Sequence, residues 1–141
     1  MIEGNIIKIA VISDIHSNAI ALNSVLRDIE SKNCDFIWSL GDYIGEASDP
    51  DQVIDMLTIN KIPMIIGNRE SKILQYHQGH LPQWDNSLQY AGLVWNHNKL
   101  ETRHFDIITS LPSDIHVTIC GFDILGNHGT QDQLADLLGV D

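Results

Sequence analysis

The sequence predicts an α/β domain, on three observations. Apolar runs at residues 5–13, 36–40 and 62–66, the first dense in Ile and Val, alternate with two segments whose apolar residues recur at helical spacing. Each run ends in a short polar step, Ser13-Asp14, Gly41-Asp42 or Gly67-Asn68. Later, two more apolar runs at 116–120 and 122–126 flank Gly121, the pattern of a tight antiparallel turn.

The first run is dense enough in β-branched residues to suit a strand buried on both faces. Ala19, Leu22, Val25, Leu26 and Ile29 then lie on one stripe of a helix reaching about Ser31. The second run, 36–40, is a strand, and Asp49-Pro50 opens a second helix carrying Val53, Ile54 and Leu57. The third run, 62–66, is a strand that stops at Gly67. Strand–helix–strand–helix–strand at this spacing implies parallel strands joined by right-handed crossovers, with all three carboxyl ends on one edge. Sites in such sheets sit at that edge. Residues 71–101 read as mostly helical around 90–95, interrupted by a loop at 79–86.

One domain spanning 1–141 is expected, since chains divide only at roughly 250–300 residues. The apolar share of 43% argues against disorder, and no run approaches the ~20 apolar residues of a membrane span or shows a cleavable leader. A net charge of −11 would repel a phosphate backbone, which disfavours duplex nucleic acid as a partner. Cys34 and Cys120 have neither disulfide density nor C-x-x-C spacing and read as buried thiols of a reducing cytoplasm.

The chemistry lies at the strand ends. Asp14 and His16, two apart, would point to the same side of an extended chain, so a carboxylate and an imidazole can share one metal. Asp-x-His is also what an ordinary polar turn contains. Asp42 and Asn68 follow the next two strands beside glycines that let the backbone turn and approach a ligand closely, and His128 follows the apolar run 122–125 in Asn127-His128-Gly129. His77, His80, His97, His104 and His116 have no such setting and read as surface or packing residues. No Gly-x-Ser-x-Gly elbow, Walker glycine loop or Gly-x-Gly-x-x-Gly is found.

Taken together, Asp14-Ile15-His16, Gly41-Asp42, Gly67-Asn68-Arg69-Glu70 and His128-Gly129 resemble the calcineurin-like metallophosphoesterase family. Ser17-Asn18, the Tyr43-Ile44-Gly45 stretch leading to Asp49-Pro50, Trp95 and Ser110-Leu111-Pro112 extend the resemblance to its small bacterial phosphoesterases. It implies a β-sandwich of two facing sheets flanked by helices (αββα) and two metals roughly 3.5–4 Å apart. Asp42 would bridge them, with Asp14 and His16 on the first and Asn68 and His128 on the second. Mixed nitrogen and oxygen ligands suit Mn, Fe, Zn or Ni, with Mn favoured here. The expected reaction is hydrolysis of a small phosphate mono- or diester by metal-activated hydroxide. A non-catalytic relative that binds metal, nucleotide or a protein partner is the competing expectation.

Two departures from the family pattern stand out. Where many members carry His after Gly-Asn, this chain has Arg69, either a clamp on phosphate oxygens or a structural partner of Glu70. Members also continue into a Gly-His-x-His motif that supplies one further His to each metal, and Asp141 precedes any such motif. From this the expectation is a C-terminally incomplete sandwich, feeble activity and self-association through an unpaired sheet edge.

Overall fold

The computed structural model describes residues 6–129. The ends of the expected domain, including Asn5 at the start of the first apolar run, lie outside the described residues. The chain order is β1 (Ile9–Ile12), α1 (Ala19–Ser31), β2 (Phe36–Ser39), α2 (Pro50–Ile59), α3 (Asn68–His77), two short 3-10 turns, α4 (Ala91–Lys99), α5 (Thr102–Thr109), β3 (Asp114–Ile119) and β4 (Phe122–Asn127). β1 pairs parallel to β2, from Ile9 opposite Phe36 to Ile12 opposite Ser39. β3 and β4 form a separate antiparallel hairpin.

α1 begins and ends where its pattern says, because the Asn18 side chain accepts the Ala21 N–H at 2.9 Å and caps the first turn. α2 starts at Pro50, whose missing N–H costs nothing in the first turn. Val53, Ile54 and Leu57 are fully buried and meet Ile73, Leu93 and Ile108 of α3, α4 and α5 in the core.

Three expectations need correction. The first strand covers only Ile9–Ile12 and is not buried on both faces: Val11 is 56% exposed, since β1 has a partner on one side alone among the described residues. The third run is not a strand but an extended segment touching β2 through one parallel bridge, Ser39 to Met64. Pro63 has no N–H to give and only accepts from Ser39 at 3.0 Å, while the Ile66 N–H turns away to Pro112 O at 2.8 Å. Neither cysteine is buried. Cys34 is half-buried, and exposed Cys120 forms the hairpin turn with Gly121, both at positive φ. α5 was not anticipated. No described helix is long and apolar enough to cross a membrane.

Tyr43 fastens β2 to the extended segment. It is fully buried, and its hydroxyl lies 2.8 Å from the carbonyls of Ser39 and Ile65 while accepting the N–H groups of Gly41 and Ile65 at 3.0 Å. Burial, and then the charge of Glu70, raise its pKa and keep it protonated. Tyr43→Phe leaves these backbone groups short of a partner, so we expect a loss of about 1–3 kcal/mol in urea unfolding. An unchanged midpoint would remove Tyr43 from this role.

Candidate metal centre

The loops after β1 and β2 run side by side beyond the sheet. Asp14, His16 and Ser17 donate backbone N–H bonds to the carbonyls of Gly41, Asp42 and Tyr43 at 3.1, 3.0 and 2.7 Å. The chain here is not extended as the Asp-x-His spacing suggested: Asp14, His16, Ser17 and Asp42 all have φ between 50° and 62°. Non-glycine residues in this region cost of order 1–3 kcal/mol each and cluster at functional sites. The left-handed turns, not strand alternation, bring Asp14 and His16 together.

All five expected residues converge. Asp14, Asp42 and His128 each offer an atom within 4.8 Å of the other two. His16 Nε2 stands 3.7 Å from Asp14 Oδ1, and His128 Nε2 stands 3.4 Å from Asp42 Oδ1. Both separations exceed the 2.7–3.2 Å of an N–H···O bond. They match the roughly 3–4 Å between two atoms held on one ion at ~2.0–2.2 Å. Each imidazole is turned by its other nitrogen, since Nδ1 of His16 lies 3.3 Å from Ile44 O and Nδ1 of His128 lies 2.6 Å from Leu40 O. With that nitrogen donating, Nε2 is left with a lone pair facing a carboxylate.

Asn68 completes the cluster. One terminal atom of its amide is 3.1 Å from His128 Nε2 and 3.0 and 3.1 Å from the two Asp42 carboxylate oxygens. As nitrogen that atom would donate to them; as oxygen it faces acceptors only, the arrangement a cation among them would satisfy. The residues present therefore fit a divalent ion by donor type and by spacing. Asp42 is held in place by the Arg69 N–H, which donates to its Oδ1 at 2.9 Å from the first turn of α3.

Of the two roles open for Arg69, a structural pairing with Glu70 is not what the structure shows. Glu70 turns inward. Fully buried, its carboxylate accepts four backbone N–H bonds: Asp42 and Gly67 at 2.9 Å on Oε2, Tyr43 at 2.8 Å and Ile44 at 3.2 Å on Oε1. Burial raises its pKa to about 7, with the charge of Asp42 adding to the rise and the N–H bonds opposing it. The fit leaves no room at Gly67, where a Cβ would stand 2.4 Å from both Asp42 N and Asp42 Oδ1.

Arg69 instead reaches Glu46, with Nη2 2.6 Å from Oε1. Sequence reasoning also missed Asn96 of α4, which is fully buried. Its Oδ1 accepts from Ser17 Oγ and from Gly45 N–H at 2.8 Å, and its amide donates to Ala47 O at 2.9 Å. A lone Asn in a helical segment gives no signal of such a role. The remaining histidines pack or face outward: His104 is fully buried, and His77 stacks on Phe105 at 3.9 Å. Trp84 is buried and stacks on Tyr90 at 4.2 Å and on Tyr76 at 5.8 Å, so these aromatics pack on one another.

A sequence profile of the calcineurin-like phosphoesterases matches residues 7–141. An uncharacterised protein of Methanocaldococcus jannaschii is 29% identical over 120 residues, 85% of this chain and 48% of that protein. The crystal structure of a metallophosphoesterase from Sphaerobacter thermophilus superposes with a TM-score of 0.62 at 27% identity, covering 81% of this chain and 44% of the other. A hypothetical protein from Pyrococcus horikoshii shares the fold, with a TM-score of 0.77 at 20% identity and coverage of 90% and 56%. The chain thus spans about half the length of these relatives.

Because four N–H groups from two loops end on one carboxylate, Glu70→Ala is expected to cost at least about 3 kcal/mol, and Glu70→Gln, which keeps one acceptor oxygen, about 1–3 kcal/mol. Denaturant titration checks the order. An alanine variant as stable as the parent would mean that the loops hold themselves.

Proposed function

The chain belongs to the calcineurin-like phosphoesterase family, and on that premise we propose that it carries a two-metal centre for the hydrolysis of a small phosphate ester in the cytoplasm. The observation that supports this best is the meeting of Asp42, Asn68 and His128, whose polar side-chain atoms lie 3.0–3.4 Å apart.

In this reading Asp14, His16 and Asp42 would hold one ion and Asp42, Asn68 and His128 the other. When bound, such ions acidify water and neutralise charge on the phosphate oxygens. The protein's own part is orientation. Leu40 O and Ile44 O fix the two imidazoles, the α3 N–H of Arg69 fixes Asp42, and Glu70 fixes the loop carrying it. Arg69, whose planar fork suits phosphate oxygens, binds and orients the ester and carries no proton near neutral pH. The mixed nitrogen and oxygen donors favour Mn, Fe, Zn or Ni, Mn first.

The test is hydrolysis of an aryl phosphate with added manganese, alongside metal content by elemental analysis. Asp42→Asn should lose more metal than any other single change, because an amide replaces a shared carboxylate. Metal content equal to the parent's in that variant, with Asp14→Ala abolishing binding, would refute the bridging role. Arg69→Ala should raise KM more than it lowers kcat; a loss confined to kcat would contradict a binding role.

A further inference from the structure

The loop after Asp42 is pinned along its length, and one acidic side chain projects from it. Residues 41–45 are buried and Glu46 is exposed. Its neighbours are fixed on both sides: Gly45 N–H and Ala47 O are bound by Asn96 at 2.8 and 2.9 Å, and Ala47 N–H donates to His16 O at 2.9 Å. From this anchored backbone Glu46 Oε1 meets Arg69 Nη2 at 2.6 Å. The Arg69 stem lies across Gly45, where a Cβ would stand 3.4 Å from Arg69 Cδ and 3.4 Å from His16 Nδ1. The Glu46–Arg69 pair is therefore next to His16, beside the centre.

Resting on the hydrolase reading above, we propose that Glu46 is a specificity-determining residue that biases the centre toward singly charged phosphodiesters over doubly charged phosphomonoesters. Arg69 alone would offer an anion one positive charge, and Glu46 cancels it. An ester phosphate entering beside Arg69 must share the guanidinium with a carboxylate of its own sign. The repulsion from Glu46 grows with the charge of the substrate, so a phosphomonoester, with close to two charges at mildly alkaline pH, loses more than a diester with one. A protein of net charge −11 adds to the same penalty. The side chain of Glu46 is 59% exposed and that of Arg69 26%, so solvent and salt limit the effect.

The experiment compares the parent with Glu46→Gln, Arg69→Ala and the double variant, at mildly alkaline pH and low salt with manganese present. Two readouts are taken: kcat/KM for p-nitrophenyl phosphate against bis(p-nitrophenyl) phosphate, and calorimetric binding of inorganic phosphate. Glu46→Gln is expected to raise the monoester-to-diester ratio ~2–5-fold and to tighten phosphate by a similar factor, the scale of one partly exposed ion pair. Both gains should shrink when Arg69 is alanine, because only the direct repulsion by Glu46 is then relieved. An unchanged ratio with unchanged phosphate affinity, weaker phosphate binding, or gains that are undiminished without Arg69 would overturn the proposal. Should no variant hydrolyse either ester, the hydrolase reading fails, and phosphate binding alone still decides whether Glu46 masks Arg69.

Discussion

The structure around the centre depends on one buried carboxylate. Glu70 gathers the N–H groups of Asp42, Tyr43, Ile44 and Gly67, so the loop leaving β2 and the turn entering α3 are held to each other through a single side chain. Three of those donors reach across from the loop after β2, while Gly67 lies in the same turn as Glu70, and buried donors without partners cost ~1–3 kcal/mol each. The contact is close enough that residue 67 has no space for a side chain. Asp42 and Asn68 face each other because of that closeness, and β4 then adds His128 above Leu40.

The clamp also accounts for the backbone strain. Left-handed conformations at Asp14, His16, Ser17 and Asp42 persist only if the surroundings over-determine them. Three inter-loop backbone bonds, the Glu70 carboxylate and the Asn96 amide supply that determination. The outcome is a cluster of carboxylate, imidazole and amide groups that could hold a cation, in a protein already strongly acidic. A cation bound there would add to stability, because a ligand that binds the folded state alone stabilises it.

Much of this was legible in the sequence. Alternating strand and helix periods placed β1, α1, β2 and α2, and the polar steps after the apolar runs marked Asp14, His16, Asp42, Asn68 and His128, which the structure brings together. The failures have local physical causes. Pro63 removed a donor and reduced the third strand to one bridge. Adjacent Arg69 and Glu70 looked like partners, yet consecutive residues of a helix point about 100° apart, so one reaches out to Glu46 and the other turns into the core. Asn96 and Glu46 act across many residues of chain, and no spacing rule connects them to the site. The apolar run before Gly121 indicated a strand, but Cys120 fell in the turn itself and is exposed for that reason.

We propose that Asp42 would be shared by two ions, one held with Asp14 and His16 and the other with Asn68 and His128. Anomalous diffraction from crystals of the protein grown with manganese tests it most directly. The account predicts two peaks, one on either side of the Asp42 carboxylate. Peaks that leave Asp42 uncontacted, or no peak at these residues under saturating manganese, would contradict it.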